Sequence, residues 1–387
     1  MANGVINVAV LGSTGSIGRS TLDVIAASRG RLRPFGLTAN SRLEEALRQA
    51  WHVRPRWLVA TDPHLARQFA WGDLPPETEL LVGDEGVERL VADPEVDIVV
   101  AAMVGMAGLR GTWAAVRASK RVALANKEAL VAAGPLMMDL ARQNGATILP
   151  VDSEHSAIFQ ALQAGNRQQV RRLVLTASGG PFRRHSAEQM AAVTVEQALA
   201  HPTWAMGKKI TIDSATMMNK ALEIIEARWL FDVPADQIAV VVHPQSIVHS
   251  MVEFCDGCVM AQLSPPDMKL PIQYALSFPE RWTGPALQFD WSHMMELDFY
   301  PPDPQRFPAL SLGHEAARLG GTAGAVLSAA NEAAVALFLE GDLRFTEIVP
   351  ACRSVLQQHT FEVHPSLEQL LRLDAWARQE VSKWICA

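Results

Sequence analysis

Cysteine, positive charge and long apolar runs are all scarce in this 387-residue chain, and each scarcity excludes a class of protein. The four cysteines show no framework of paired spacings, which argues against a disulfide-stabilised secreted scaffold. A formal net charge of −7 argues against a general nucleic-acid-binding protein. No uninterrupted apolar run reaches the roughly 18 residues of a membrane helix, and no signal-peptide pattern is present. We therefore expect a cytoplasmic globular protein that binds neither nucleic acid nor membrane.

Two of the cysteines, Cys255 and Cys258, stand in the CxxC spacing of many metal sites. A structural zinc site of this kind needs further ligands, and the sequence contains no second CxxC. The intervening residues are Asp256 and Gly257, and apolar runs flank the motif on both sides. We therefore interpret this segment as a β-hairpin with a two-residue turn.

Apolar strand-like runs alternate with helical segments from residue 5 to about residue 150. This alternation predicts a parallel, doubly wound sheet with helices on its faces. The central region mixes strands and helices, a Pro- and Trp-rich passage follows it, and the remainder carries only helical patterns. We predict an α/β protein with an N-terminal Rossmann-type domain at residues 1–150, a central α+β catalytic domain at 151–285, a linker at 286–308 and a C-terminal helical bundle at 309–387.

A glycine-rich turn, "VAVLGSTGSIGRSTLDVI", joins the first predicted strand to the first predicted helix. Gly12, Gly15 and Gly18 have a GxxGxxG spacing, which is a variant of the dinucleotide-binding fingerprint. Glycines in such a turn allow the backbone to approach a pyrophosphate, and the helix N terminus offers N–H groups to the anion. The position of the motif after the first strand predicts a dinucleotide cofactor.

The residues after the second strand indicate which dinucleotide is bound. NAD-binding domains usually place an acidic residue here for the ribose diol. This chain instead has Asn40, Ser41 and Arg42, and an arginine with a hydroxyl suits the 2′-phosphate of NADP(H). Glu44 and Glu45 follow inside the next helix and remain alternative ligands of the ribose. We favour NADP(H).

Two acidic residues, Asp152 and Glu154, stand at a predicted strand-to-helix junction in "ILPVDSEHSAIFQAL". Side chains two residues apart in an extended chain point to the same side, so the carboxylates are placed to share a cation. A hard divalent cation prefers about six oxygen ligands, and a third protein carboxylate is therefore expected. The helical segment "MMNKALEIIEARWLF" offers Glu223 and Glu226 on adjacent turns of one face, and spacing alone does not choose between them.

Hydrogen-bond donors typical of a phosphate site follow the acidic pair along the chain. Ser178 precedes two glycines that can form a backbone anion nest. A loop suited to act as a lid contains His201, Trp204 and Gly207. Further donors that suit a phosphate are Ser214, Asn219 and Lys220. Together with the acidic residues, these groups predict a site for a phosphosugar.

These segments together carry a family resemblance. The chain resembles the 1-deoxy-D-xylulose 5-phosphate reductoisomerase family, and the matching segments run in the family's order from residue 9 to about residue 345. These segments are "GSTGSIG", "ANKEALV", "PVDSEHSAIFQ", "ASGGPF", "HPTWAMGKK", "IDSATMMNKALEIIEA", "HPQSIVHSMVEF", "AQLSPPDMKLPIQYAL" and "AANEAAVALFL". The resemblance implies a homodimer that uses NADPH and a divalent cation, Mg²⁺, Mn²⁺ or Co²⁺. The implied reaction converts 1-deoxy-D-xylulose 5-phosphate into 2-C-methyl-D-erythritol 4-phosphate in the non-mevalonate isoprenoid pathway, by a retro-aldol/aldol rearrangement followed by hydride transfer.

The resemblance also implies a role for each matching residue. It selects Glu223 over Glu226, so that the metal ligands are Asp152, Glu154 and Glu223. The implied catalytic residues are Lys127 and His201 together with these three acids. The implied substrate contacts are Lys127, Ser153, Glu154, Ser178, His201, Trp204, Ser214, Asn219, Lys220 and Glu223. The implied cofactor contacts are Thr14, Gly15, Ser16, Ile17, Asn126, Glu128 and Gly207, while Asn40, Ser41 and Arg42 replace the basic or glycine residues that the family has after the second strand.

Two other functions are compatible with parts of the pattern. An NADP-dependent semialdehyde or homoserine-type dehydrogenase also joins a Rossmann domain to an α+β domain, but it needs no acidic trio. A redox-sensing regulator would bind NADPH without turnover, although the low pI and the missing DNA-reading element argue against it. Metal-dependent consumption of NADPH with the phosphosugar distinguishes the enzyme from both alternatives.

Overall fold

The computed structural model describes residues 4–204 and 206–385, and the chain forms two compact units. Unit 1 comprises Met1–Ala129, Met137–Ser156 and Asp267–Leu287, and unit 2 comprises Leu130–Leu136, Ala157–Pro266 and Gln288–Ala387. Each unit therefore combines segments that are distant along the chain. The four-segment organisation with boundaries at residues 150, 285 and 308 stays a prediction.

Unit 1 is built on a seven-stranded parallel sheet in the order β4-β3-β2-β1-β5-β6-β7. The strands are β1 (Ile6–Leu11), β2 (Leu32–Ala39), β3 (Trp57–Ala60), β4 (Glu79–Val82), β5 (Ile98–Ala101), β6 (Arg121–Leu124) and β7 (Thr147–Pro150). The direction in which strands are added reverses between β1 and β5, which is the switch point of a doubly wound fold. The Rossmann-type prediction is confirmed.

The buried strands explain the continuous apolar runs of the N-terminal sequence. Val8, Val10 and Leu11 of β1 and Val99 of β5 have no exposed surface. A parallel sheet is covered by helices on both faces, so its central strands read as apolar throughout rather than in alternation. The carboxyl ends of β1 and β5 meet at the switch point, where open α/β sheets bind their ligands.

Sixteen α-helices lie in the described part of the chain. They are α1 (Ser16–Ala27), α2 (Leu43–Val53), α3 (Pro63–Gln68), α4 (Gly83–Ala92), α5 (Met106–Arg117), α6 (Lys127–Asn144), α7 (Ser153–Ala161), α8 (Ala187–Ala191), α9 (Val195–Leu199), α10 (Lys208–Thr216), α11 (Met218–Leu230), α12 (Lys269–Ser277), α13 (Ala309–Leu319), α14 (Ala323–Glu340), α15 (Ile348–Gln358) and α16 (Leu367–Ile385).

Unit 2 contains a four-stranded mixed sheet in the order β11-β10-β8-β9. The strands are β8 (Val170–Ala177), β9 (Ile238–Val242), β10 (Val248–Phe254) and β11 (Val259–Leu263), and only the β8–β9 pair is parallel. The mixed sheet with its helices confirms the α+β character predicted for the central region. The apolar run "QIAVVVHPQSIVHSMVEF" is divided into two strands, because the chain leaves the sheet at residues 243–247 and Ser246 adopts a left-handed conformation (φ +52°).

The CxxC segment forms the hairpin between β10 and β11, as predicted, but its turn is longer than expected. Phe254 N–H donates to the carbonyl of Cys258 at 2.8 Å, which leaves three residues in the loop instead of two. Gly257 is the third of these and has φ +87°, so a three-residue loop with glycine in the left-handed position replaces the predicted tight turn. Cys255 and Cys258 are exposed free thiols.

The C-terminal part of unit 2 is helical, as predicted, with α14 packed against α15 and α16. Among the described residues, α14 is the one helix long and apolar enough to span a membrane by length and composition, and 67% of it is buried within the protein, as in the core helix of a globular domain. Gly313 lets α13 approach α11 closely, because a Cβ there would lie 2.6 Å from Cα of Ala221. The pairing of α11 and α13 supports the helix that carries Glu223.

Candidate active site

The glycine turn of unit 1 has the geometry of a dinucleotide cradle. Gly12 has φ +85°, and a Cβ there would lie 2.7 Å from the carbonyl oxygen of Ala102. A Cβ at Gly18 would lie 2.3 Å from the carbonyl oxygen of Gly12, so this glycine allows close packing of turn and helix. Gly15 is the N-cap residue of α1, and Ser16 and Ile17 begin its first turn, which has no side-chain cap and no acidic residue. The N–H groups of Ser16 and Ile17 are therefore suited to an anion such as a pyrophosphate.

Two arginines lie beside this turn. The guanidinium groups of Arg42 and Arg19 both donate to the carbonyl oxygen of Thr14, at 2.9 Å and 2.7 Å. Glu45 is paired with Arg19 at 3.1 Å, whereas Asn40 and Ser41 are exposed after β2. The region is therefore cationic, which fits a 2′-phosphate better than a ribose diol. Arg19 was not expected from the sequence; its position one helical turn after Gly15 is the signal that would have indicated it.

The segment Asn126–Glu128 connects β6 to α6. The Asn126 side chain caps α6 by accepting from Ala129 N–H at 3.0 Å, and it donates to the carbonyl of Gly105 at 3.2 Å and to the Glu128 carboxylate at 3.1 Å. Asn126 therefore holds the loop after β5 to the start of α6. Asn126, Lys127 and Glu128 are all buried at the carboxyl end of β6, which is the edge where a cofactor is expected.

Asp152 lies at the end of β7, immediately before α7, and is paired with Lys127. The Lys127 ammonium is 2.6 Å from one Asp152 oxygen, and the other oxygen accepts from Glu154 N–H at 3.3 Å and lies 3.5 Å from His155 Nδ1. Burial opposes ionisation of Asp152, but the charge of Lys127 and the contact with His155 outweigh it and hold the pKa of the carboxyl well below its usual range. Asp152 is therefore a carboxylate. Ser153 donates from its hydroxyl to the Glu154 carboxylate.

In unit 2, His201 joins two serines that are distant in the sequence. Its Nε2 is 3.1 Å from the hydroxyl oxygens of both Ser178 and Ser214. Its Nδ1 accepts from the backbone N–H groups of Thr203 (3.2 Å) and Trp204 (2.9 Å). Backbone N–H groups only donate, so Nδ1 carries no proton and the ring proton is on Nε2. Burial lowers the pKa of His201, which agrees with a neutral ring.

This tautomer of His201 determines whether the hydroxyl groups of Ser178 and Ser214 can donate hydrogen bonds to a ligand. Because Nε2–H donates, the serine oxygens accept from it, and each hydroxyl proton can be directed at another acceptor. Ser178 Oγ also accepts from Gly180 N–H at 3.2 Å. Gly179 and Gly180 have φ +79° and +63°, and a Cβ at Gly180 would lie 2.7 Å from the Ser214 carbonyl oxygen. The glycines thus bring the Ser178 loop against α10, and two hydroxyl donors are placed for an oxyanion.

The loop that carries His201 is the predicted lid. The ring of Trp204 lies edge-on to that of His249, with centroids 6.3 Å apart. Gly207 is the N-cap of α10. Along the chain, Trp204 and Gly207 lie between His201 and α10, the helix that bears Ser214.

The predicted acidic helix face is present in α11. Asn219 donates to one oxygen of Glu223 at 2.6 Å, and Lys220 pairs with the other. Lys220 and Glu223 are 3% and 0% exposed, so this is a buried charge pair. Glu226 lies on the next turn and is buried as well, and burial therefore does not choose between the two glutamates. Asp152 and Glu154 belong to unit 1 and Glu223 to unit 2, and a cation site made of all three stays a prediction.

Family models cover nearly the whole sequence. Residues 8–134 match the model described as 1-deoxy-D-xylulose 5-phosphate reductoisomerase, residues 148–231 match its C-terminal domain, and residues 263–380 match the DXP reductoisomerase C-terminal domain. The 1-deoxy-D-xylulose 5-phosphate reductoisomerase of Rhodopirellula baltica is 50% identical, with 97% of this chain and 94% of the relative aligned. The chain belongs to the 1-deoxy-D-xylulose 5-phosphate reductoisomerase family.

Other members of the reductoisomerase family agree in sequence and in structure. The enzyme of Geobacter metallireducens is 51% identical, with 96% of this chain and 97% of the relative aligned. The Zymomonas mobilis reductoisomerase in complex with NADPH superposes with a TM-score of 0.90 at 44% identity, over 99% of both chains. A DOX-P reductoisomerase in complex with NADPH, fosmidomycin and magnesium gives a TM-score of 0.91 at 42% identity, over 98% of both chains.

Proposed function

We propose that this chain is an NADP-dependent oxidoreductase that converts 1-deoxy-D-xylulose 5-phosphate into 2-C-methyl-D-erythritol 4-phosphate, a step of the non-mevalonate isoprenoid pathway. The observation that carries the proposal is similarity over at least 96% of the chain to reductoisomerases that are about half identical to it. NADPH and a divalent cation are the cofactors, as in the solved relative that contains NADPH and magnesium. The cation used is Mg²⁺, with Mn²⁺ or Co²⁺ as alternatives.

Unit 1 binds NADPH in this proposal. Thr14, Gly15, Ser16 and Ile17 form the turn that receives the pyrophosphate, and the first N–H groups of α1, those of Ser16 and Ile17, donate to it because no side chain caps the helix. Arg42 binds the 2′-phosphate, with Asn40 and Ser41 beside it. Further contacts come from Asn126 and Glu128 of unit 1 and from Gly207 of unit 2.

The acidic residues Asp152, Glu154 and Glu223 hold the cation. Their oxygen-only donor set suits a hard divalent ion, and Asp152 is already ionised by its pairing with Lys127. When bound, the cation supplies Lewis acidity and a template for the ketone and hydroxyl of the substrate, which promotes the retro-aldol/aldol rearrangement before hydride transfer. Lys127 and Ser153, beside Asp152 and Glu154, contact the reacting end of the substrate.

The phosphate of the substrate is bound by unit 2. Ser178 and Ser214 donate through hydroxyl protons that the neutral His201 leaves available. Asn219 and Lys220 add an amide donor and a positive charge, and this binding orients the reacting carbons. The loop with His201 and Trp204 closes over the substrate, which excludes water and retains the fragments between cleavage and recombination.

The proposal includes a homodimer in the cytoplasm, without nucleic-acid or membrane partners. The support for a dimer is β11, the edge strand of the unit 2 sheet. Val259, Met260 and Leu263 in this five-residue strand are exposed, although an uncovered apolar edge strand is prone to pair with another chain. A second copy of β11 would cover this edge.

The test is an absorbance assay of NADPH consumption with 1-deoxy-D-xylulose 5-phosphate, with and without EDTA. We expect consumption that EDTA abolishes and added Mg²⁺ restores. No consumption with this phosphosugar would refute the proposed activity. Consumption that is indifferent to EDTA would indicate a plain dehydrogenase and refute the role of the cation.

A further inference from the structure

A buried carboxylate, Asp213, lies on α10 directly before Ser214 and has no role in the proposed reaction. Its side chain is 1% exposed. One of its oxygens is 2.8 Å from the Lys209 ammonium, and the other accepts from the Asn331 amide at 2.8 Å. Cys352 also lies close to Asp213: burial raises the pKa of its thiol, and the Asp213 charge raises it further, so this neighbour is uncharged. The carboxylate is thus tied to its own helix by Lys209 and to α14 by Asn331.

Asn331 is an unusual residue for its position. It lies in the middle of α14, is fully buried, and its side-chain oxygen has no hydrogen-bond partner among the described residues. A buried polar atom without a partner destabilises the fold, and a leucine would fill the same space without that penalty. Its side-chain amide donates to Asp213, and this bond explains why a polar residue is present at the position.

The helix that receives this bond needs an external support. Helix α10 has nine residues, between the N-cap Gly207 and the left-handed Met217. A helix of this length is marginal by itself, so tertiary contacts decide its orientation. A small rotation of α10 would displace Ser214 and break its 3.1 Å contact with His201.

We propose that Asp213, held by Asn331 and Lys209, is a positioning residue that sets the orientation of α10 and thereby places the Ser214 hydroxyl and the His201 ring for the substrate phosphate. Asn331 acts through Asp213 and touches neither substrate nor cofactor. That the ligand is the substrate phosphate rests on the proposed function. That Asp213 and Asn331 fix the orientation of α10 does not depend on it.

The experiment replaces Asn331 with leucine, a variant that removes the bond to Asp213 and also the unpartnered oxygen. We expect kcat/KM for 1-deoxy-D-xylulose 5-phosphate to fall roughly tenfold, as for loss of one hydrogen bond to a charged group. The Kd for NADPH should change by a much smaller factor, because Gly207 adjoins α10 but the other proposed cofactor contacts lie in unit 1. Asp213→Asn is the second variant: it keeps an acceptor for Asn331 and removes the charge that faces Lys209. We expect a fall in kcat/KM with the same small change in the Kd for NADPH.

The matched control is Arg378→Met. Arg378 binds Glu332, the neighbour of Asn331 on α14, and Asp374 on α16, and among the described residues no hydrogen bond or ion pair joins it to α10. The control is expected to lower Tm without lowering kcat/KM for the phosphosugar. If Arg378→Met and Asn331→Leu lower kcat/KM equally, Asn331 has only a general structural role and the proposal is wrong.

Hydrogen exchange measured by mass spectrometry tests the support of α10 without turnover. We expect faster exchange in residues 208–217 for Asn331→Leu and no change there for Arg378→Met. If the wild-type chain does not consume NADPH with the phosphosugar, the proposed function is wrong. The exchange rates of Asn331→Leu and Arg378→Met would still show whether Asn331 holds α10 in place. Unchanged exchange in residues 208–217, or faster exchange with an unchanged kcat/KM in an active enzyme, would overturn the positioning role.

Discussion

Three lysine–carboxylate pairs distinguish the candidate site at the scale of single residues: Lys127–Asp152, Lys220–Glu223 and Lys209–Asp213. Removing two charges from water is unfavourable, and a buried ion pair is often no more stabilising than the apolar residues that might replace it. The presence of these pairs is therefore better explained by the side chains that they position than by a gain in stability. Two of them include proposed metal ligands, and the third lies beside the proposed phosphate site.

The first prediction concerns Glu154→Gln. The substitution removes one negative charge from the proposed cation site while keeping the size of the side chain, so we expect kcat at moderate Mg²⁺ to fall by at least about a hundredfold, a loss in the range seen when one charge-stabilising group is removed from an active site. The fold should survive, as circular dichroism would show. Glu77→Gln, an exposed acid paired with Arg54, is the control and should leave kcat unchanged. A near-normal kcat at saturating Mg²⁺ would refute the ligand role.

Lys220→Ala tests the phosphate site. The substitution removes a buried positive charge and leaves Glu223 without its lysine partner. We expect KM for the phosphosugar to rise roughly tenfold or more, while KM for NADPH changes little, since a hydrogen bond to a charged group contributes about 1.5–3 kcal/mol. Steady-state kinetics with each substrate varied in turn provide the measurement. An equal rise in both KM values would count against a specific phosphate contact.

Arg42→Ala tests the choice of cofactor. The Arg42 guanidinium lies at the glycine turn, where it donates to Thr14, and the proposed role is to bind the 2′-phosphate that only NADP(H) carries. We expect Kd for NADPH to rise about tenfold and Kd for NADH to stay constant, measured by quenching of tryptophan fluorescence. Arg19→Ala is the informative comparison, because Arg19 shares the Thr14 carbonyl but is paired with Glu45. An unchanged NADPH-to-NADH ratio in Arg42→Ala would assign the 2′-phosphate to another residue.

His201 gives a prediction about pH. Its pKa is lowered by burial from the ordinary value of 6.5, so the unfolded chain takes up a proton at a higher pH than the folded protein does. Its contribution to stability is therefore lost as pH falls below about 6.5, and the loss ends below the folded pKa. An NMR titration of labelled histidines, assigned with His201→Asn, should show a midpoint below 6.5 and the proton on Nε2 at neutral pH. A midpoint above 6.5 would contradict the assigned hydrogen bonds.

At the scale of elements, the local sequence predicted secondary structure correctly where residue type and apolar pattern determine the backbone conformation. The strands of the N-terminal sheet, the helix that follows the glycine turn and the hairpin at Asp256-Gly257 were all predicted. The hairpin loop has three residues rather than two because Gly257 takes the left-handed position and Cys258 pairs back with Phe254. Turn type depends on where the ladder of hydrogen bonds ends, and a dipeptide does not specify that point.

The edge strand β11 supports a prediction at the same scale. Met260→Lys places a charge on the exposed apolar strand, and lysine on an edge strand opposes pairing with a second chain. We expect the proposed homodimer to dissociate to monomers at micromolar concentration, measured by size-exclusion chromatography with light scattering. Leu319→Lys, at an exposed position of α13, is the control and should remain dimeric. A Met260→Lys variant that stays dimeric would place the interface elsewhere.

At the scale of the whole molecule, the proposed ligands are divided between the two units. The glycine turn, Arg42, Lys127 and Asp152 belong to unit 1, whereas the Ser178–His201–Ser214 arrangement and the Lys220–Glu223 pair belong to unit 2. Residues 267–287 are grouped with unit 1, where Lys269 pairs with Asp23 at 2.9 Å and α12 packs on α1. The predicted central domain at residues 151–285 includes most of this segment, and only long-range contacts reveal its neighbours.

The sequence by itself determined the alternation of strands and helices, the glycine turn and the placement of Glu223 and Glu226 on adjacent turns of one helix face. These features depend on residues within a few positions of one another and on backbone stereochemistry. Only the tertiary structure decided the order of the strands, the approach of Ser178 and Ser214 to one imidazole ring and the bond between Asp213 and Asn331. Those contacts join residues up to 118 positions apart, and packing of whole elements, rather than local preference, selects them.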